Sequence, residues 1–376
     1  MFSRFATLCV LLGLIHPMLS AQKKYCLLVG TYTSGKSKGI YTYFFDAATG
    51  SLQIADSVHT PNPSFLAVSA NKRFVYAVNQ QNTDTGSYAV AFTLNAAAGK
   101  LQLINRQTVN GAGPCYIAVD NKNQWLFTGN YTAGSLSVLP LNKDGSIQPL
   151  VQLIKQKGSS IVASRQQSSH VHAAVLDPSN QYLLVPDLGT DKIYKYRLNS
   201  KQTAAPLQTP SDSVIVSKPG SGPRHIAFHP NGKVGYVINE LSGTIDAWQY
   251  QAGACRLLQT ISTDSSNKAD KGSADIHVSP DGKHLYATNR GSYNSIATYA
   301  INNKTGELTF LGVQSTLGAT PRNFVIDPTG NYVLVANQKS DAIVVFKRDA
   351  TSGRLQPTGT VVNVGNPVCL LMVPTP

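Results

Sequence analysis

The sequence predicts an all-β fold, a seven-bladed β-propeller whose last blade is closed by strands from both ends of the chain. Three observations predict it: a repeat of roughly fifty residues, an apolar strand–turn–strand anchor that occurs six times, and two chain ends that each resemble half of a seventh copy.

The anchor is an apolar strand, a turn of the Pro-x-Gly type or a degenerate form of it, and a second apolar strand ending in Asn or Asp. It reads SFLAVSANKRFVYAVNQ (64–80), CYIAVDNKNQWLFTGNY (115–131), HAAVLDPSNQYLLVPDL (172–188), RHIAFHPNGKVGYVINE (224–240), ADIHVSPDGKHLYATNR (274–290) and RNFVIDPTGNYVLVANQ (322–338). A third, alternating strand follows, as in GTIDAWQY (243–250) and AIVVFKRD (342–349). A tight turn such as Thr49-Gly50, Thr305-Gly306 or Ser352-Gly353 then leads to a short fourth strand. Four strands per unit is the content of a propeller blade. At the ends, PVCLLMV (367–373) fits a first strand and KYCLLVGTYT (24–33) a second. Joining them closes the ring and removes the sheet edges that invite aggregation.

The 376 residues are 42% apolar, enough for one large domain with a sizeable core, and the 30 Gly and 20 Pro suit a chain with many turns. Residues 1–21 read as a signal peptide. Arg4 begins it, residues 5–15 form a short apolar run, Pro17 breaks that run, and Ser20 and Ala21 precede Gln22. The run is too short to span a bilayer, and no other stretch spans one. A single domain over 22–376, exported to the periplasm or the exterior and acting as a monomer, is therefore expected. The net charge of +13 is spread rather than clustered. No helix-turn-helix, zinc spacing or RNP-like run accompanies it, so nucleic acid is not an expected partner. After the leader, Cys26, Cys115, Cys255 and Cys369 remain with no CxxC pair. Buried free thiols are expected, and a Cys26–Cys369 bond is the alternative that export permits.

In a propeller the first strand of each blade lines the central channel. The start of that strand and the end of the second share one face, so aligning the repeats gives two rings at one mouth. The first ring reads Ser64, Cys115, His172, Arg224, Ala274, Arg322 and Val368. The second reads Gln80, Tyr131, Leu188, Glu240, Arg290 and Gln338, with Thr31 in the seventh place. Arg224, Glu240, Arg290, Arg322 and His172 break the repeat with charge in four successive blades, which marks a site, since one carboxylate cannot neutralise three arginines. His170 alternates with His172 on a strand, but no Cys, Asp or Glu set completes a metal site. Neither a metal nor a cofactor is expected. His225 and His277 lie within first strands, and Asp275 precedes His277 by two. G-x-S-x-G is absent. Three longer connections, about 155–169, 199–221 and 263–273, enter first strands on this face and either rim the mouth or are slack surface.

The segments GPRHIAFHPNGKVGYVINELSGTIDAW, ADIHVSPDGKHLYATNR, PRNFVIDPTGNYVLVANQKS and LLVGTYTSGKSKGIYTYFFDAATGSL resemble the bacterial seven-bladed-propeller lactonase family, which includes the propeller-type 6-phosphogluconolactonases and is related to fungal carboxymuconate-cyclising enzymes. The resemblance covers essentially the whole mature chain. It implies hydrolysis of a small anionic sugar-acid lactone, with the family's His, Arg, Glu, Arg set falling on His172, Arg224, Glu240 and Arg290. Arg224 and Arg290 would stabilise the oxyanion, and Arg322 would hold a substrate carboxylate or phosphate. Gln338, His170, His225 and Asp275 complete the expected substrate-binding set. Either Glu240 or His172 serves as general base, because flanking arginines weaken a carboxylate as a base. Two other readings stay open: a lyase or cycloisomerase acting on an acidic lactone, and a non-enzymatic exported propeller that binds an anionic ligand or a protein.

Overall fold

The computed structural model describes residues 24–264 and 272–375. The leader at 1–21 and most of the connection 263–273 lie outside these residues.

Among the described residues the strands form seven sheets, arranged as the blades of a β-propeller. Blade 1 contains Lys24–Thr31, Gly39–Asp46 and Ser51–His59, with the C-terminal strand Pro367–Pro374 innermost. The ring is therefore closed by the two ends, as the half-repeats predict, and the Thr375 amide donates to the Lys24 carbonyl at 3.3 Å. Each following blade runs outward in chain order. Blade 5, for example, is Pro223–Phe228, Val234–Asn239, Thr244–Gln251 and Ala254–Ser262.

The second strand of each blade is almost wholly apolar because both its faces are covered. In blade 2, Phe74, Tyr76 and Val78 pack toward blade 3, while Val75 and Ala77 pack toward blade 1. The same alternation recurs, so each of the seven blade–blade interfaces has its own apolar cluster. A continuous apolar run, rather than alternation, is what a strand buried on two sides shows. The tight turns between third and fourth strands serve the same interfaces. Gly50, Gly306 and Gly353 adopt φ of +74°, +80° and +73°. The Tyr236 and Tyr286 hydroxyls of the preceding blades donate to Gly306 and Gly353 at 2.8 and 2.7 Å, and Tyr332 donates to Ala48 at 3.3 Å.

One connection and the cysteines settle open readings. The connection 199–221 is not a slack loop. Leu207–Gln208 and Val214–Val216 pair with Lys192–Leu198 and supply the split outer strand of blade 4. The four remaining cysteines are free thiols. The strands that carry Cys26 and Cys369 are neighbours, but Cys26 faces Val373 and Cys369 faces Gly30, so the register keeps the sulfurs apart.

Candidate active site

Each blade enters its first strand through one residue whose carbonyl accepts the amide that follows the second strand. These acceptors are Asn62, Gly113, His170, Gly222, Gly272, Thr320 and Asn366. All but His170 have positive φ, from 42° to 67°. The residue two further on is the one that faces the mouth. This local kink delivers Arg224 and Arg322 to equivalent positions on their blades, and His172 takes the same place without it.

The last residue of the second strand turns away from the mouth. Asn79, Asn289 and Asn337 donate to the carbonyls of Pro61, Thr263 and Thr316, which ties the second strand of each of these blades to the segment that enters the same blade from the one before. Only the following residue reaches the mouth. In blade 1 this rule corrects the seventh place. Thr31 is buried, donates to the Gly39 carbonyl at 2.7 Å and takes the Asn position. Tyr32, whose amide donates to Asn366, is the true ring member.

Glu240 is the centre of the cluster. Its Oε2 accepts from Arg224 Nε at 2.9 Å and pairs with Arg290 Nη2 at 2.8 Å. Its Oε1 accepts from Arg165 Nη2 at 2.6 Å. Arg224 and Glu240 are almost wholly buried, whereas 42% of the Arg165 side chain is exposed. Arg224 Nη1 is also hydrogen-bonded to the Ala274 carbonyl and lies 3.2–3.3 Å from the ring nitrogens of His225. Arg290 Nε donates to Gly272 at 2.8 Å. Burial alone would raise the Glu240 carboxyl, but Arg290 and Arg224 outweigh it and hold the group well below the usual carboxylate range.

His172 lies beside this cluster. Its ring meets Tyr131 and His225 edge to face at 5.5 and 5.3 Å, and its Nδ1 lies 3.9 Å from the Cys115 thiol. Its Nε2 carries no hydrogen bond among the described residues. Burial, and then the charge of Arg224, hold the imidazole well below its ordinary value. It is therefore neutral at neutral pH. Burial lifts the neighbouring Cys115 thiol to about 11, so it stays protonated.

The other expected residues separate into groups. Gln338 joins Arg165, Glu240, Arg290 and Lys339 around a cleft of about 730 Å³. Arg322 has no carboxylate partner among the described residues and sits 5.5 Å from the ring centroid of Tyr32. His170 stacks on Tyr131 at 4.4 Å with Nδ1 on the Tyr131 carbonyl, which places it outside the arginine cluster. His225 and Asp275 lie below the cluster rather than in the cleft. They pair at 2.8 Å and line a second cavity of about 530 Å³ lower in the channel, with Phe65, Tyr116 and His277. Asp275 also accepts from His277 and Asn323, so its oxygens are committed.

Arg165 was not among the expected residues. It comes from the connection 155–169, which has no counterpart in the repeat. That connection does rim the mouth. Ser160 donates to Asp191 at 2.6 Å, and the Gln166 amide donates to the Leu188 carbonyl at 2.8 Å. These two anchors fix the loop that carries Arg165. The repeat holds no signal for it, and only its place in a connection long enough to reach the mouth points that way.

The cluster combines positive charge arranged around one carboxylate, a neutral imidazole and an open cleft, an arrangement suited to stabilising a developing oxyanion. Comparison with known proteins agrees in kind. The sequence profile described as lactonase, seven-bladed β-propeller, matches residues 26–372. A 6-phosphogluconolactonase of Formosa agariphila is 40% identical over 342 residues, which cover 90% of this chain and 97% of the relative. One of Bacillus subtilis is 37% identical, covering 92% of this chain and 98% of the relative. The structure of the periplasmic gluconolactonase of Pseudomonas aeruginosa superposes with a TM-score of 0.90 at 38% identity, covering 94% of this chain and all of the other.

Proposed function

The chain belongs to the seven-bladed β-propeller lactonase family, and from that membership we propose that it hydrolyses a sugar-acid lactone at the mouth built around Glu240. The names of its relatives give the two lactones to test first, 6-phosphogluconolactone and gluconolactone. The observation that carries the reading is the triple pairing of Glu240 with Arg165, Arg224 and Arg290 beside a neutral His172.

In this mechanism His172 is the general base. Glu240 is a poor one, because three guanidiniums stabilise its charged form, whereas the His172 imidazole is neutral and its Nε2 carries no hydrogen bond among the described residues. Water attacks the lactone carbonyl carbon and gives a proton to His172. The carbonyl oxygen becomes an oxyanion held by Arg224 and Arg290, a contribution of about 3–4 kcal/mol for one well-placed donor. Collapse breaks the ring C–O bond, and His172 returns its proton to the departing ring oxygen. The product is the open-chain acid, with the former ring oxygen as a hydroxyl. Glu240 keeps the two arginines aligned, and Arg322 and Gln338 hold the substrate. His225 and Asp275 act from beneath, against Arg224, and no metal or cofactor takes part. The apolar N-terminal run makes the periplasm or exterior the proposed location, and a monomer the proposed state.

The test is acid release in a pH-stat from a panel of 6-phosphogluconolactone, gluconolactone, galactonolactone and a muconolactone, measured above spontaneous hydrolysis. Release that disappears in Arg224→Ala supports the reading. Absence of release from every member by the folded protein overturns it.

A further inference from the structure

The mouth is divided between two kinds of cation. Arg165, Arg224 and Arg290, on the blade 3–4 connection and on blades 5 and 6, are all committed to Glu240. Arg322, on blade 7, is committed to no carboxylate among the described residues. A half-buried guanidinium without a counter-charge is held in place only if something else orients it. Here the neighbouring group is the face of Tyr32, 5.5 Å away at the ring centroid. Tyr32 is itself pinned on both sides of its ring. Its hydroxyl donates to Gln80 Oε1 on blade 2 at 2.8 Å, and its amide donates to Asn366 at 3.1 Å, where the C-terminal segment enters blade 1. Beside it, at the ring position equivalent to Arg322, the Ser64 hydroxyl is buried with no hydrogen-bond partner.

Resting on the lactonase reading, we propose that Tyr32 is a positioning residue that presents Arg322 to the anionic substituent of the lactone, with its hydroxyl anchored on Gln80. A stacked guanidinium keeps its planar N–H edge free for bidentate contact with a carboxylate or phosphate. The reacting carbonyl then lies over Arg224 and Arg290 on one side of the mouth, and the charged substituent on the other. Tyr32 acts through Arg322 and touches no reacting atom. Removing it should change how well a charged lactone is held while sparing the chemical step.

The experiment compares kcat and KM for 6-phosphogluconolactone and gluconolactone in the wild type, Tyr32→Leu, Tyr32→Phe and Arg322→Met. In Tyr32→Leu the ratio of kcat/KM, charged over neutral, is expected to fall about 10-fold, through KM rather than kcat. Tyr32→Phe keeps the ring face and is expected to recover most of that ratio. Arg322→Met is expected to lower it about 100-fold. An unchanged ratio in Tyr32→Leu, or equal losses on both lactones, overturns the proposal. Calorimetric titration with 6-phosphogluconate gives a second readout without turnover, and the same order of weakening is expected. If the wild type hydrolysed no lactone but bound 6-phosphogluconate in this Tyr32-dependent way, the lactonase reading would fall and the positioning role would stand. Turnover with a Tyr32-independent ratio would do the reverse.

Discussion

Arg224 donates from Nε to Glu240 Oε2 at 2.9 Å, and both side chains are almost wholly buried. A pair removed from water in this way is costly to break from one side, because the survivor keeps its charge without a partner. The same pairing keeps Glu240 ionised and ties its lone pairs to guanidiniums. Both facts support the proposal that Glu240 orients the arginines while His172 transfers the proton.

Glu240→Gln is therefore expected to cost about 3–5 kcal/mol of stability and to lower kcat/KM, while leaving the acid limb of the pH–rate profile where it was. Chemical denaturation and a pH-stat series from pH 4 to pH 9 check both parts. A shift or loss of the acid limb in this variant would return the base assignment to Glu240.

His172→Gln is expected to lower kcat by about 10²–10⁴-fold and to remove the acid limb. That limb should lie below pH 6.5 in the wild type, because burial and Arg224 depress the imidazole. The same pH-stat series reads it.

Stability should also fall between pH 6.5 and pH 4. His225 is depressed to about 4 by burial and then by Arg224, and His172 moves the same way. In this window the unfolded chain binds protons that the folded protein refuses, so stability is present above pH 6.5 and is lost as the pH falls toward 4. Each group contributes a slope of up to about 1.4 kcal/mol per pH unit. His277, raised by Asp275 despite burial, acts only above pH 6.5 and with the opposite sign. Urea unfolding at several pH values, repeated on His225→Gln, should show a shallower slope in the variant.

Arg348→Met should destabilise without touching turnover. Arg348 is buried between blades 6 and 7. It is paired with Asp281 at 2.9 Å and donates to the Tyr286 hydroxyl and the Gly330 carbonyl. Loss of about 3–5 kcal/mol with unchanged kcat/KM is expected, since no part of this network approaches the mouth cluster.

Gly222 sits two residues before Arg224 with φ +65°, and a Cβ there would fall 2.6 Å from Leu241 Cγ. Gly222→Ala should cost about 1–3 kcal/mol from backbone strain. It should also lower kcat by displacing Arg224, readable by thermal unfolding beside the lactone assay.

The blades, their number and the closure by both ends were legible because a strand buried on two faces writes a continuous apolar run, and six copies of it align without gaps. The same alignment brought Arg224, Glu240 and Arg290 to one point, and the structure joins them through direct ion pairs. The seventh ring place was misread by one residue. The strand ends in Gly-Thr-Tyr, and Thr31 rather than an Asn fills the tethering position, so the mouth residue is Tyr32. Counting one past the tether would have found it. Arg165 was not legible, because the loop that carries it belongs to no repeat and is placed by tertiary bonds from Ser160 and Gln166. Asp275 was read toward the substrate, yet its partners on blades 5, 6 and 7 converge on it only in three dimensions.

The innermost strand of blade 1, Pro367–Pro374, is the last strand among the described residues and pairs with the first of them. Synthesis order and assembly order therefore run against each other. Blades 2 to 7 can gather as they emerge, but Lys24–Thr31 waits with one edge unpaired until the final strand arrives, and Tyr32, held through Asn366, waits with it. Completion of the Tyr32 side of the mouth therefore depends on the arrival of the C-terminal segment.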